Sequence, residues 1–186
     1  MPVSTLDPQP ALVVVDLQNG LAALPGVPEV IARTAELADA FRAREHPVVL
    51  VRVTFAADGA DLVPGRTEAP RSSFARPDGW DQITPELAGH DQDIVVTKRN
   101  WSAFYGTDLD LQLRRRGVTQ VVLTGVATSI GVESTARAAH EHGYHVVLAT
   151  DAMADTQPEA HENSVQRIFP RLGETGTVAE ILELLP

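Results

Sequence analysis

The sequence predicts an α/β fold in which a doubly wound parallel sheet carries helices on both faces. Five short apolar runs, rich in β-branched residues, recur along the chain at 11–17, 47–55, 93–98, 120–127 and 145–152. Runs of this kind are typical of strands buried on both faces of a parallel sheet. Helical patterns lie between most of them, which is the alternation that a doubly wound sheet requires.

Two of the connecting helices have recognisable ends. The stretch PEVIARTAELADAFRAREH begins at Pro28, and proline is favoured in a first helical turn because its missing N–H has no intrahelical partner there. The stretch TDLDLQLRRRG predicts a shorter helix, with Thr107 as N-cap and Gly117 as C-cap. A late helix follows Pro158, and the stretch HENSV at 161–165 is expected on its solvated face.

Length and composition indicate a single domain, residues 1–186, and exclude several partners and chemistries. The 15 basic and 25 acidic side chains leave a formal charge of −10, which repels phosphate backbones and anionic lipid, so we expect neither nucleic acid nor membrane as partner. The chain has no cysteine, which excludes disulfides, a thiolate nucleophile and thiolate-bound zinc. The first residues carry no targeting signal, so a cytoplasmic location is expected.

The segment 56–92 interrupts the alternation of strands and helices. It contains four prolines, Pro64, Pro70, Pro77 and Pro85, and no long helical period. Irregular loops of this length in compact domains are more often functional than idle. We therefore expect this loop to act as a lid or as a subunit contact.

Candidate catalytic residues stand where three of the apolar runs end. In open α/β sheets, ligands bind beyond the carboxyl ends of the strands. Asp16 ends the first run, and Lys98 ends the third. Considered alone, Asp16 fits a loop-anchoring carboxylate or an N-cap, and Lys98 fits a surface lysine. At one edge of a sheet they instead indicate a proton-transfer pair. The fourth run leads into a helix N-terminus, where backbone N–H groups favour negative charge and where Gly131 stands.

Three motifs carry a resemblance to a known family. They are VVVDLQNGL, KRNWSAFYGTDLDLQLRRRGV and LTGVATSIGVESTARAAHEHGYHVVLATDAMAD, and together they span most of residues 11–155. The chain resembles the isochorismatase-like hydrolase superfamily, which implies a single-domain, three-layer α/β/α fold with a six-stranded parallel sheet. Most members are cysteine hydrolases with an Asp, Lys and Cys triad that acts on amides. By this resemblance Asp16 and Lys98 match the first two, and the cysteine position falls on Gly131.

Glycine at the nucleophile position changes the expected chemistry. The motif resembles that of the true isochorismatases, which have IG at this point and cleave a vinyl ether with the aspartate as general acid. Gly131 would then leave room for substrate or water. Protonating an enol ether needs a carboxylic acid of raised pKa; Lys98 by itself would lower the pKa of Asp16, so burial must oppose it.

The resemblance also implies how the substrate is held. It places a non-proline cis peptide at Val126–Ala127, with the N–H groups of Ala127 and of Gly131 directed at the substrate, where they would hold a carboxylate. Tyr105 and Ile130 match pocket positions of the family. Leu21 and Trp80 are further candidates for substrate binding, although each of these four side chains also fits a core position. Phe104 is expected in the core.

No cofactor or metal is expected. Nicotinamidases of the superfamily carry an Asp and His metal cluster after the second strand, but here that region reads VRVTFAADGADLVPG and has no histidine. Asp58 and Asp61 are therefore interpreted as loop carboxylates. Neither a GxGxxG motif nor a phosphate loop occurs, so no nucleotide cofactor is predicted.

Two other functions remain open at this point. One is an amide or carbamoyl hydrolase that uses water or a hydroxyl as nucleophile. The hydroxyl residues near Gly131 in the sequence are Thr128, Ser129, Ser134 and Thr135. Of these, Thr128 or Ser129 is expected to cap the helix. The other is a binding protein that has kept the fold without catalysis. The resemblance further implies a homo-oligomer, a dimer or a tetramer, acting on a small molecule.

Overall fold

The computed structural model describes residues 2–62, 65–68 and 76–186. Within this part of the chain, six strands form one parallel sheet in the order β3-β2-β1-β4-β5-β6. The strands are β1 (Pro10–Val15), β2 (Val48–Val53), β3 (Ile94–Lys98), β4 (Gln120–Val126), β5 (His145–Ala154) and β6 (Glu174–Gly176). The predicted α/β fold and six-stranded parallel sheet are confirmed. The five apolar runs form β1 to β5, and the three residues of β6 are too short to appear as an apolar run.

The helices connect these strands and cover both faces of the sheet. They are α1 (Val27–Ala43), α2 (Leu109–Arg115), α3 (Glu133–Glu141), α4 (Pro158–Asn163) and α5 (Val178–Leu184). A π-helical turn, Thr128–Val132, leads into α3; a second, Ser164–Ile168, and a short 3₁₀ turn, Phe169–Arg171, follow α4. No helix of the described residues is both long and apolar enough to cross a membrane.

Alternate residues of β1 show how the sheet divides the core in two. Leu12 and Val14 lie in an apolar cluster with residues of α1 and α5, whereas Val13 and Val15 lie in a second cluster with residues of α2 and α3. Because successive side chains of a strand point to opposite faces, a strand in the middle layer must be apolar at every position. This is why the run ALVVV is continuous, and why the fold has three layers.

The ends of α2 differ from the prediction by one residue each. Asp108, not Thr107, is the N-cap, and Thr107 Oγ1 accepts a hydrogen bond from the Leu109 N–H at 3.3 Å. The C-cap is Arg116, and Gly117 follows it with φ of 67°. Gly117 thus occupies the left-handed position just beyond the helix, which glycine adopts without steric cost.

Turns in the described part of the 56–92 loop pack against the chain just after β1 and against the apolar core. Gln18, just after β1, forms an isolated antiparallel bridge with Ile83, and Leu87 is completely buried in the core. Pro64 and Pro70 lie outside the described residues, with the rest of 63–64 and 69–75. The expected role of this loop as a lid or subunit contact stays a prediction.

Candidate active site

The order of the strands creates a crevice between the ends of β1 and β4. The chain leaves β1 for α1 on one face of the sheet and leaves β4 for α3 on the other, so the two connections diverge. Ligands of doubly wound folds bind at this switch point. Asp16 follows β1 directly, Gly131 lies in the turn after β4, and Lys98 ends β3. The structure therefore brings together the three residues that the sequence predicts as catalytic.

Asp16 and Lys98 form a buried ion pair. Lys98 Nζ lies 2.7 Å from Asp16 Oδ2, and Lys98 is 3% and Asp16 5% exposed to solvent. Lys98 Nζ also donates to the carbonyl oxygen of Asn100 at 3.1 Å. The second carboxylate oxygen, Asp16 Oδ1, is buried and has no hydrogen-bond partner among the described residues. One oxygen is thus held by the lysine, and the other keeps its capacity to form a hydrogen bond.

The backbone around Asp16 is fixed by the neighbouring strand. Asp16 has φ of 57°, a left-handed conformation that costs a non-glycine residue about 1–3 kcal/mol and that clusters at functional sites. Its N–H donates to the Val51 carbonyl at 2.9 Å. Two residues on, the Gln18 amide both donates to and accepts from the Val53 backbone, at 3.0 and 2.9 Å. These bonds hold the turn after β1 on the end of β2.

Burial determines the protonation of Asp16. The pKa of this carboxyl is raised from 3.8 to about 6, because burial raises it by more than the charge and the hydrogen bond of Lys98 lower it. The condition that the acid mechanism imposes, that burial outweighs the lysine, is therefore met. A pKa raised in this way is unusual for a carboxyl beside a lysine.

Gly131 faces the Asp16 carboxylate across a narrow gap. A Cβ built on this residue would lie 3.3 Å from Asp16 Oδ2, 3.1 Å from Val15 Cγ1 and 3.0 Å from the Val126 carbonyl oxygen. A side chain here would force its neighbours to shift by a few tenths of an ångström. The Val126–Ala127 peptide bond is cis, as the resemblance implies.

Gly125 has a part in the site that the sequence analysis did not identify. It has φ of 117°, and a Cβ on it would collide with the backbone of Val15. Only glycine allows the ends of β1 and β4 to approach this closely. Its signal in the sequence is a glycine inside an otherwise apolar strand, which typically marks a bulge or a close backbone approach.

The turn after β4 is held by residues that follow β5, and two sequence expectations are wrong here. Ala127 is the N-cap, and neither Thr128 nor Ser129 caps the turn with its side chain. Instead, Asp155 Oδ2 accepts hydrogen bonds from the N–H and the Oγ of Ser129, at 2.8 and 2.7 Å. Nor is the HENSV stretch simply a solvated face, because His161 Nδ1 lies 2.9 Å from Thr128 Oγ1.

A cation and two aromatic rings lie beside the ends of β1 and β2. The rings of Phe55 and Trp80 are nearly parallel, with centroids 6.4 Å apart, and the Arg76 guanidinium carbon lies 4.9 Å and 5.6 Å from them. The Trp80 carbonyl accepts the Gly20 N–H at 2.7 Å, which attaches this group to the segment that follows β1. No carboxylate of the described residues forms an ion pair with Arg76. Phe55 and Arg76 carry no motif that would have identified them.

The remaining candidates for the pocket differ in their exposure to solvent. Tyr105 and Ile130 are 71% and 42% exposed, so neither is a core residue of this chain. Leu21 is partly buried against the cluster that contains α1, and Phe104 is buried with Tyr144, as expected of a core residue. Clefts of about 430 and 340 Å³ open at the opposite, amino end of the strands, away from Asp16.

The acidic residues after β2 have partners from the loop itself and from Arg99, just after β3. Asp61 accepts hydrogen bonds from the Ala56 N–H at 2.7 Å and from Arg99 Nε at 2.9 Å, and Asp58 accepts one from the Ala60 N–H. They are loop carboxylates, as interpreted from the sequence. No cluster of three or more His, Cys, Asp or Glu side chains able to hold a metal ion occurs within the part of the chain that the structure describes.

Comparison with known proteins identifies the family. The profile described as Isochorismatase domain matches residues 10–180. The chain is 47% identical over 179 residues to the isochorismatase family protein YecD of Escherichia coli O157:H7, covering 94% of this chain and 95% of that protein. An isochorismatase family protein of Burkholderia thailandensis, of known structure, is 46% identical with a TM-score of 0.94 over 98% of each chain. The ureidoacrylate amidohydrolase RutB of Pseudomonas syringae pv. syringae (strain B728a) is 33% identical over 176 residues, 80% of this chain and 72% of that protein. This chain therefore belongs to the isochorismatase family of hydrolases.

Proposed function

We propose that this protein hydrolyses a vinyl ether in a small anionic molecule, with Asp16 as general acid and no covalent intermediate. The observation that carries the proposal is the Asp16 carboxyl, which is buried, has its pKa raised to about 6 and faces Gly131. Donating a proton to carbon near neutral pH requires an acid of this kind. Without cysteine, the chain has no thiolate to attack an amide.

The proposed reaction needs one group that gives and regains a proton, and Asp16 is assigned this role. Asp16 gives its proton to the terminal carbon of the enol ether, and the electron pair of the double bond forms the new C–H bond. The resulting oxocarbenium ion is captured by water at the carbon that bears the ether oxygen. The hemiketal then loses its alcohol to give a ketone, and the proton released by water restores Asp16. Lys98, 2.7 Å from Asp16 Oδ2, stabilises the carboxylate meanwhile.

An anionic substrate is supported by the positive charge near the site. Arg76 has no carboxylate partner among the described residues and is oriented by its contacts with Phe55 and Trp80. A guanidinium held in this way is suited to pair with a carboxylate. The protein as a whole carries a formal charge of −10, so binding an anion depends on such a local cation. The N–H groups of Ala127 and Gly131 are a second proposed place for a substrate carboxylate.

The proposal is tested by comparing substrate classes directly. Purified protein is incubated with isochorismate, whose enolpyruvyl ether would release pyruvate, and in parallel with a panel of small amides and carbamoyl compounds. We expect release of pyruvate that disappears in Asp16→Asn, and no ammonia from the amides. Ammonia release without pyruvate release would overturn the proposal.

A second candidate is an amide or carbamoyl hydrolase that uses water or a hydroxyl as nucleophile. It is supported by the 33% identity to an amidohydrolase. In that reaction Asp16 would act as a base and would have to be ionised. The two candidates therefore require opposite protonation states of one carboxyl, which the pH dependence of turnover distinguishes. Binding of the same compounds without any turnover would instead favour a protein that has kept the fold for binding.

We also propose that the protein is a homo-oligomer, a dimer or a tetramer. Tyr105, in the connection after β3, and Ile130, next to Gly131 in the chain, are large side chains that are exposed in the single chain. Large exposed apolar side chains beside a functional site are typical of a contact surface. The 56–92 loop is a further candidate for this contact.

A further inference from the structure

The segment that follows β5 makes three side-chain contacts with the turn that carries Gly131 and with the first residue of α3. Asp155 binds Ser129, His161 lies against Thr128, and the Ser164 Oγ donates to Glu133 Oε2 at 2.6 Å. Two of the contacts end on carboxylates, and the contact between His161 and Thr128 joins an imidazole to a hydroxyl.

The contact between His161 and Thr128 lies directly after the cis peptide bond in the chain. Thr128 is completely buried and is the first residue of the π-helical turn, directly after Ala127 of the cis peptide bond. Gly131 lies three residues on in the same turn, where a Cβ would come within 3.3 Å of Asp16 Oδ2. Because this gap is so narrow, a small movement of the turn changes the space in front of the Asp16 carboxyl.

We infer that His161 is a positioning residue, which through the Thr128 hydroxyl holds the turn Ala127–Gly131 at its distance from Asp16. This rests on the proposed function, because it assigns His161 to the reaction of the same site. His161 is only partly buried and lies on a short helix without buried residues, so the core does not explain its contact with Thr128. The contact to Asp155 keeps the turn attached when the histidine is changed, so the fold is expected to survive its loss.

The test combines four variants with one matched control. Thr128→Val removes the hydroxyl at almost constant shape, and His161→Leu removes the imidazole. Thr128→Ser keeps the hydroxyl, and His161→Asn places an amide near the position of Nδ1. The control is His140→Leu, because His140 Nδ1 also binds a neighbour, the Leu172 carbonyl at 3.1 Å, but at the amino end of the sheet.

The first readout is turnover of whichever substrate the screen identifies. We expect Thr128→Val and His161→Leu each to lower kcat about tenfold with a smaller change in KM, since misplaced catalytic groups reduce rates steeply. The double variant that combines Thr128→Val with His161→Leu should be no slower than either single variant, because both substitutions remove the same contact. Thr128→Ser, His161→Asn and the control should stay near the wild-type rate. Unchanged kcat in Thr128→Val, or additive losses in the double variant, would overturn the inference.

The second readout does not depend on any substrate. The titration of Asp16 is followed by ¹³C NMR in the wild type, in Thr128→Val and in His140→Leu. A displaced turn admits water, which weakens the effect of burial, so the pKa of Asp16 should fall in Thr128→Val alone. An unchanged Asp16 titration in that variant would contradict the inference even if the proposed substrate class is wrong. If His161→Leu does not fold, the Thr128→Val measurements decide alone.

Discussion

Lys98 Nζ contacts Asp16 Oδ2 at 2.7 Å in a place where less than a tenth of either side chain is exposed to solvent. A buried ion pair contributes little to stability, because the loss of hydration of both charges largely cancels their attraction. Here burial also raises the pKa of the carboxyl to about 6. A strongly perturbed carboxyl with a specific charge partner, at the switch point of a doubly wound sheet, is typical of a functional site.

Replacing Asp16 by asparagine should abolish turnover and leave the fold intact. The amide cannot donate an acidic proton, and loss of a general acid typically lowers rates by about 100- to 10,000-fold. Steady-state kinetics and a circular dichroism spectrum of the same preparation measure the two effects. Asp91→Asn, on an exposed carboxyl, is the control. Near wild-type rates in Asp16→Asn would remove this residue from the mechanism.

The pH dependence of kcat/KM should distinguish the two candidate reactions. With a pKa of about 6, Asp16 is mainly protonated below that pH and mainly ionised above it. A general acid is lost on ionisation, so kcat/KM should fall about tenfold per pH unit above pH 6 for vinyl ether hydrolysis. An amide hydrolase with Asp16 as base should show the opposite, a rise up to pH 6 and a plateau beyond. A measured profile that rises through pH 6 contradicts the acid mechanism.

Replacing Lys98 by methionine should move the pH profile to higher pH. The charge and the hydrogen bond of Lys98 both lower the pKa of Asp16, and burial raises it. With the cation removed, only burial acts, so the pKa should rise by about one unit or more. Methionine retains the length of the lysine side chain, which keeps the packing similar. The measurement is the falling limb of kcat/KM, and a limb that stays near pH 6 would show that Lys98 does not act on Asp16.

Replacing Gly131 by alanine or cysteine should lower the native activity. Either Cβ would lie 3.3 Å from Asp16 Oδ2 and 3.0 Å from the Val126 carbonyl oxygen, so it takes up room in front of the acid. The cysteine should in addition react with iodoacetamide, because the helix N-terminus and Lys98 both favour its thiolate. Weak amide hydrolysis is expected only from the cysteine variant, with alanine as the control for size. A folded, unlabelled cysteine variant with unchanged turnover would mean that residue 131 does not face the site.

The protein should be larger than one chain in solution. A single chain has a mass of 20.0 kDa, and we expect light scattering to give about two or four times this value. Changing exposed Tyr105 to serine should weaken the assembly if this residue lies in the contact. A single species of one chain's mass across the concentration range would contradict the proposed homo-oligomer.

Local pattern in the sequence determined the fold and the place of the candidate site. Continuous apolar runs alternating with helical patterns indicate strands of the middle layer, and parallel strands bring their carboxyl ends to one edge. For this reason Asp16, Lys98 and Gly131 were expected together before any distance was known, and the structure confirms that they meet. The sequence also shows that the chain has no cysteine, and the family resemblance implies that Gly131 occupies the position of the usual nucleophile.

The tertiary structure alone decided which side chains surround these three residues. Asp155 binds Ser129 across 26 positions of the chain, and His161 contacts Thr128 across 33 positions. Local sequence patterns, which indicate helix caps and solvated helix faces, contain no information about contacts at this separation. Likewise, the pKa of Asp16 depends on how much water the packed chain excludes, which only the assembled site determines. Sequence patterns record the periodicity of secondary structure, whereas contacts between distant segments and the solvation of a buried charge arise only once those segments have packed together.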